Sequence, residues 1–293
     1  MAAIGLTQLA ELTLQVSGQV LPQYRSKFSK HQFTQPQLLT ILCLMRYEDW
    51  TYREAEARLL EHSDLRRVLR LQSVPDYTTL YRFLKRLQPE DVRRVLQAVV
   101  KRMPGKRQRR TVAVDATGLA KGAISSYFIR RMQDHTGQPT SRRHWLKWLL
   151  TVDIQQQIIL AQAARRGPWN DCATLPQLVN EAHHIAPIGC VLADAEFDSE
   201  RNHTFIRGQL HACSIIPAKR RSSQPASGIR AFMRNAFPHK QYRQRNLIES
   251  VFSAVKRKLT CRASGRSFAT QSRQALLLGL TCNLYRLRPF PLV

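Results

Sequence analysis

The sequence predicts an α/β protein in which an all-α N-terminal region precedes the α/β domain. Residues 5–102 place apolar side chains at spacings of three and four, which is the period of amphipathic helices. After the charged joint MPGKRQRR (103–110), the pattern changes to short β-rich runs. Strands and helices then follow in the order β, β, β, α, β, α, β, α, which is typical of an α/β sheet. We expect a helical domain at residues 1–105 and an α/β domain at residues 106–293.

The helical region contains one segment that matters for function. A turn at Pro75 and Asp76, with a capping position near Thr78, precedes a short helix with basic side chains. A helix, a turn and a short basic helix are compatible with a helix-turn-helix module, and equally with a plain helical bundle. The sequence leaves both possibilities open. The basic residues on the short helix are Arg82, Lys85 and Arg86.

The α/β domain is predicted from the apolar runs and the turn residues between them. The run TVAVDATGL is predicted as the first strand, and HWLKWLLTVDIQQQIILAQAA as two strands around a turn from Asp153 to Gln157. A last apolar helix closes the domain. The remaining predicted elements are helix 170–185, strand 188–197, helix 198–210, strand 211–219, a long helix from residue 241 to 259, and the last helix at 270–287.

The composition is strongly basic. The 293 residues include 46 Lys and Arg against 20 Asp and Glu, a net charge of +26, while 43% hydrophobic residues indicate a folded protein. A polyanionic partner would relieve the self-repulsion, so nucleic acid is the first candidate, a membrane surface the second, and a merely basic protein the alternative.

Other features of the sequence bear on the compartment. No apolar run approaches the roughly 18 residues that span a bilayer, and the N-terminus lacks the features of a signal peptide. The six cysteines are far apart and form no CxxC pair, which argues against a zinc module and a disulfide framework. We therefore expect a cytoplasmic protein without a membrane partner.

Acidic residues are nearly excluded from the C-terminal third. Between residues 201 and 293, 18 Lys and Arg accompany a single carboxylate, Glu249. If 241–259 is one helix, Tyr242, Arg245, Glu249 and Lys256 share a sector of its surface. A local alternative is a simple pair of Glu249 with Arg245, worth a few tenths of a kcal/mol. An adjacent apolar sector would face the core; it contains Ile248, Val251, Phe252, Val255 and Leu259.

Two further carboxylates follow predicted strands. Asp115 ends the run TVAVD, and Asp194 ends the run CVLAD. In α/β sheets, ligands and metals gather at the carboxyl ends of strands. Each residue taken alone is equally an ordinary turn residue.

These segments together resemble a known family. The spacing Tyr242-x2-Arg245-x3-Glu249-x6-Lys256 matches the Y-(2)-R-(3)-E-(6)-K signature of DDE transposases of bacterial insertion sequences. The resemblance covers approximately residues 106–290.

The two aspartate segments extend the resemblance. TVAVDATG and VLADAEFDSE are similar to the segments that carry the first and second Asp of that family. Glu196 stands where the family usually has Gly, and Phe197 where it usually has Tyr. Neither departure removes a carboxylate, but Glu196 adds a charge close to the site.

The resemblance implies a ribonuclease-H-like (retroviral-integrase-like) catalytic domain and two sets of site residues. The implied catalytic and metal-binding triad is Asp115, Asp194 and Glu249, and the implied DNA contacts are Tyr242, Arg245 and Lys256. Three carboxylates suit two Mg²⁺ ions, with Mn²⁺ as a substitute, because these hard cations prefer oxygen ligands.

The implied function is a transposase that binds insertion-sequence ends and catalyses metal-dependent DNA cleavage and strand transfer. Its partners would be double-stranded DNA, at the transposon ends and the target, and a second copy in a homodimer. A bacterial, cytoplasmic and nucleoid-associated location follows from the same resemblance. The alternatives are a nuclease of the same fold without joining activity, and a decayed or domesticated DNA-binding protein.

Overall fold

The chain forms two compact units in a computed structural model that describes residues 5–28, 30–103, 108–120, 145–167, 170–219, 227–260 and 262–287. The first unit comprises Met1–Met103, Val255–Cys261 and Arg266–Val293, and the second comprises Pro104–Ala254 and Arg262–Gly265.

The described elements agree with the predicted order. No helix among the described residues is long and apolar enough to cross a membrane. In chain order the helices are α1 Leu6–Val20, α2 Gln35–Glu48, α3 Tyr52–Glu61, α4 Ser63–Val68, α5 Tyr77–Arg86, α6 Pro89–Arg102, α7 Leu175–Ile185, α8 Glu200–Thr204, α9 Gly228–Asn235, α10 His239–Tyr242, α11 Leu247–Lys258 and α12 Phe268–Arg286. The strands are β1 Arg110–Ala120, β2 Trp145–Asp153, β3 Ile158–Arg166, β4 Ile188–Ala193 and β5 Cys213–Ile215.

Side-chain caps define several helix starts in the first unit. The hydroxyls of Thr34 and Thr51 begin α2 and α3, each as part of a capping box. Asp76 caps α5, where its carboxylate accepts the backbone N–H of Thr79 at 2.9 Å. The capping residue is therefore Asp76 and not a threonine near position 78, because the carboxylate reaches the free N–H groups of the first turn.

The last helix, α12, packs with the N-terminal helices. It contacts α1, α2, α5 and α6, and most of its side chains are buried. Because buried residues, apolar and polar, are distributed around the whole helix, it needs neighbours on every side. The predicted division placed this helix with residues 106–293, whereas the first unit contains it.

The second unit is organised around a five-stranded sheet with the order β3-β2-β1-β4-β5. Strand β2 is antiparallel to β1 and β3, while β4 is parallel to β1 and β5. The α/β prediction is confirmed, and so is the hairpin of the second and third strands. Asp153 stabilises the hairpin turn by accepting the N–H of Gln155 at 2.9 Å.

Strand β1 covers the predicted run TVAVDATGL and one further residue at each end. It continues past Asp115 because β2 pairs with it as far as Ala120. The parallel pairing of β1 with β4, however, ends at Val114 and Ala193. Asp115 and Asp194 are the residues that follow this last pair, so the register itself brings the two carboxylates to the same edge of the parallel pair.

Candidate active site

Asp115 and Asp194 are held by the backbone beside them. The N–H of Ala116 donates to Asp115 Oδ1 at 2.8 Å, and the N–H of Glu196 donates to Asp194 Oδ1 at 2.9 Å. Asp194 thereby caps the short 3-10 helix Ala195–Phe197. Both carboxylates are half-buried, and each has a fixed orientation at the end of the parallel strand pair.

Burial and nearby charges shift the pKa values of both aspartates. Burial raises the pKa of Asp115, and the charge of Glu249 raises it further, while Ala116 and Arg245 act in the opposite direction. Burial also raises the pKa of Asp194, and the charge of Asp115 adds to this effect. Burial is the main reason that both pKa values are raised, and the neighbouring carboxylates add to it, so a bound cation would be favoured at this site.

Arg245 joins the strand edge to the helical segment. Its Nη1 donates to Asp115 Oδ2 at 2.7 Å, and its Nη2 donates to Glu249 Oε1 at 3.3 Å. The side chains of Arg245 and Asp115 are only 15% and 16% exposed, whereas that of Glu249 is 62% exposed. The local pair of Arg245 with Glu249 does form, but Arg245 makes its shorter contact with Asp115. Burial lowers the pKa of Arg245, but the charges of Asp115, Tyr242 and Asp194 and the hydrogen bond to Asp115 together outweigh burial, so this pKa is raised.

The segment that carries the signature is not one regular α-helix. Helix α10 ends at Tyr242, Arg243–Asn246 forms a 3-10 turn, and α11 begins at Leu247. The prediction of one continuous α-helix is therefore wrong. A 3-10 turn has about three residues per turn, so the sector calculated for 100° per residue does not apply before Leu247. The contact of Arg245 with Asp115 is tertiary, and local periodicity carries no information about it.

Tyr242 lies next to the same guanidinium. The Cζ atom of Arg245 is 5.9 Å from the centre of the Tyr242 ring. Burial raises the pKa of Tyr242, and the charges of Asp194 and Asp115 raise it further, while Arg245 lowers it. The structure thus places five of the predicted site residues in one neighbourhood: Tyr242, Arg245, Asp115, Asp194 and Glu249.

The apolar sector predicted for α11 is confirmed, since Ile248, Val251, Phe252, Val255 and Leu259 are all buried. In the second unit, Phe252 contacts the ring of Trp148 on β2 at a centroid distance of 6.1 Å. This contact seats the first half of α11 against the sheet. Lys256 is exposed in the last turn, in the part of α11 that belongs to the first unit.

The donor set of the site suits a divalent cation, but its geometry is not that of an assembled cage. Asp115, Asp194 and Glu249 offer only hard oxygen ligands, which Mg²⁺ and Mn²⁺ prefer. In the part of the chain that the structure describes, no three His, Cys, Asp or Glu side chains are grouped closely enough to hold a metal ion. The guanidinium of Arg245 occupies the position of a counter-ion between two of the three carboxylates.

Residues 106–284 match the family described as the transposase DDE domain, which is more than half of the chain. The chain belongs to this family of transposases. A DDE transposase is an enzyme that cleaves DNA and transfers the cut strand, and divalent metal ions are generally required for its chemistry. No curated protein matches the chain.

Two solved structures are similar to this transposase at low identity. A piggyBac transposase synaptic complex with hairpin DNA is 10% identical, with 95% of this chain and 72% of that chain covered and a TM-score of 0.42. The Drosophila P element transposase strand transfer complex is 12% identical, with coverages of 72% and 46% and a TM-score of 0.34. Both TM-scores are low, so the family assignment depends on the sequence match alone.

Sequence reasoning missed two charged residues beside the site of this transposase. Lys147 on β2 forms an ion pair with Asp171, and its Nζ is 3.4 Å from Glu196 Oε2. The extra charge of Glu196 therefore has a partner. A lysine in the middle of an otherwise apolar strand was the available signal, because such a residue is rarely buried without a partner.

Proposed function

We propose that this chain is a transposase of the bacterial insertion-sequence subgroup with a ribonuclease-H-like catalytic domain. The spacing of Tyr242, Arg245, Glu249 and Lys256 supports the subgroup. The strand order, with three antiparallel strands followed by two parallel ones, supports the fold. One observation carries the proposal: the Arg245 guanidinium bonds both Asp115 and Glu249, and so joins the signature segment to the first aspartate.

Asp115, Asp194 and Glu249 form the catalytic triad and would hold two Mg²⁺ ions, or Mn²⁺ in their place. When bound, the ions supply Lewis acidity to the attacking and leaving oxygens of the phosphodiester. The protein contributes two carboxylates fixed by backbone N–H groups and a third on a helix that is seated against the sheet. Burial and the neighbouring carboxylates raise the pKa values of Asp115 and Asp194, and a bound cation would stabilise their charged forms.

Arg245 has two roles in this proposal. Without metal and DNA, its guanidinium pairs with Asp115 and Glu249 and offsets one of their two negative charges. When cations bind the carboxylates, the fork of N–H donors becomes available to a phosphate of the transposon end, for which its geometry is suited. Tyr242 would stack on a base or donate to a phosphate, and Lys256 would contact the backbone as a point charge.

The helical residues 1–105 would recognise or pair the transposon ends. Exposed basic side chains on α5 suit contact with duplex DNA. Because two ends must be processed together, a homodimer would act on them, in the cytoplasm and associated with the nucleoid. The exposed side chains concerned are Arg82, Lys85 and Arg86.

One assay tests the proposal. The protein is incubated with Mg²⁺ and a labelled duplex that carries the inverted repeat found beside its gene. We expect cut ends and products joined to target DNA. Cut ends without joined products would indicate a nuclease, and a shifted but uncut duplex would indicate a DNA-binding protein that no longer cleaves.

The metal dependence is tested in the same assay. Mn²⁺ should replace Mg²⁺, whereas Ca²⁺ should permit binding with little turnover because its looser coordination holds the reacting oxygens poorly. Full activity in EDTA would refute the assignment of metal ligands.

A further inference from the structure

A second cation lies in a cluster beside Asp194 that the signature does not include. The cluster consists of Lys147 on β2, Asp171 just before the turn Cys172–Thr174, and Glu196 two residues after Asp194. The ammonium of Lys147 is paired with Asp171 and is 3.4 Å from Glu196. The three side chains differ greatly in exposure, at 11% for Lys147, 1% for Asp171 and 64% for Glu196.

This arrangement is a poor device for stability alone. Taking Lys147 and Asp171 out of water costs free energy that their mutual attraction often fails to recover, and apolar residues of similar size would stabilise the fold as well. The cluster also shares the electrostatics of the active site. Burial raises the pKa of Asp171, and the charges of Glu196 and Asp194 raise it further, against the effect of Lys147.

We propose that Lys147 is a phosphate-binding residue of the DNA site, anchored by Asp171 and covered by Glu196 until DNA binds. This inference rests on the proposed function. An ammonium has three N–H donors. Asp171 is buried and accepts from one side, while Glu196 is exposed and faces another. The anchor therefore stays in place, and the exposed cover is the partner that a phosphate displaces.

The energetics favour this exchange. A contact to an exposed carboxylate contributes little to stability, so little is lost when Glu196 moves away from Lys147. Removal of a carboxylate from the path of the DNA backbone also reduces repulsion. The buried pair behaves differently, because removing Asp171 would leave an unpaired charge.

The rival interpretation is that Lys147 and Asp171 only hold the segment before α7 against β2. Under that interpretation, Glu196 influences DNA binding only through its overall charge. The two interpretations therefore differ in how strongly neutralising Glu196 increases the affinity for DNA. They also differ in whether that increase depends on Lys147.

The test measures the affinity of the protein for a short blunt DNA duplex, by salt titration and with EDTA present so that metal binding plays no part. Glu196→Gln should bind about two- to fivefold more tightly, the size expected for a lost exposed ion pair that competes with DNA. The control is Glu181→Gln on α7, which removes one negative charge from the same unit, where the carboxylate accepts from Gln177 at 3.0 Å.

The decisive step repeats Glu196→Gln in a chain with Lys147→Met and Asp171→Asn, which replaces the buried pair without leaving one charge alone. In that background, Glu196→Gln should no longer increase the affinity for DNA. The inference would be overturned if the increase in DNA affinity persisted in that background. It would also be overturned if the increase were no larger than the one that Glu181→Gln causes. If the double replacement does not fold, the comparison of Glu196→Gln with Glu181→Gln decides. A wild-type protein that bound no duplex would overturn the proposed function itself.

Discussion

Two clusters of the second unit follow the same plan and differ in their cations and anchors. In each, a shielded cation contacts one protected aspartate and one exposed glutamate. Arg245 contacts Asp115 and Glu249. The second cluster consists of Lys147 with Asp171 and Glu196.

The difference between the clusters lies in which contact can be given up. Arg245 divides the fork of its guanidinium between two carboxylates, and its anchor Asp115 remains partly exposed. Lys147 is a point charge on an anchor that is almost completely buried. We infer that the arginine cluster is built to exchange its partners, whereas the lysine cluster keeps its anchor and exchanges only its cover.

The largest expected effect is the loss of DNA cleavage when one carboxylate of the proposed triad is neutralised. Asp115→Asn, Asp194→Asn and Glu249→Gln should each abolish metal-dependent cleavage, a loss beyond about 10³-fold if the residues act as one catalytic unit. Duplex binding should persist, because no basic residue is removed. Cleavage rates and binding are measured on the same end duplex. A variant that cleaves at the wild-type rate would remove its residue from the triad.

The second prediction compares the anchor and the cover of the lysine cluster. Asp171→Ala should lower the free energy of unfolding by about 3–5 kcal/mol, because it leaves the shielded Lys147 without its buried partner. Glu196→Ala should lower it by less than about 1 kcal/mol, since that carboxylate is exposed. Denaturant titrations of both variants provide the measurement. Similar values for the two would show that anchor and cover do not differ.

The third prediction asks whether the fork of Arg245 or only its charge matters. Arg245→Lys keeps the charge but cannot hold Asp115 and Glu249 together, so cleavage should slow by about tenfold, as for a lost supporting contact at a metal site. For this variant, the slope of the logarithm of the DNA-binding constant against the logarithm of the salt concentration (the salt slope) should stay unchanged. Arg245→Ala should also lower the slope by about 0.9, the value of one phosphate contact. If Arg245→Lys cleaved at the wild-type rate, only the positive charge of this residue would matter, and the bidentate geometry of the guanidinium would not.

The smallest effect is expected at the end of α11. Lys256→Ala should lower the salt slope by about 0.9, because the signature assigns this residue a phosphate contact. Lys258→Ala is the matched control, as both side chains are exposed in the same last turn. Salt-titrated binding of both variants to one end duplex separates them. Equal slopes would leave Lys256 without a special position among the basic residues.

The sequence by itself determined most of the elements and supplied the candidate site residues. Periodicity predicted the order of elements along the chain and the buried face of α11, including Ile248 and Phe252, because burial of a face imposes a period on the sequence. The segments around Asp115, Asp194 and Glu249 predicted a DDE transposase, and the match over residues 106–284 confirms that broader family. Each of these signals is local, and a single segment contains it.

Only the tertiary structure decided which charges meet. Arg245 and Asp115 are 130 residues apart, and nothing in either segment specifies their contact. The pairing of Lys147 with Asp171 and the inclusion of α12 in the first unit belong to the same class. A periodic sequence pattern indicates which face or charge is removed from water. The partner that compensates for the lost hydration is selected by packing between distant segments.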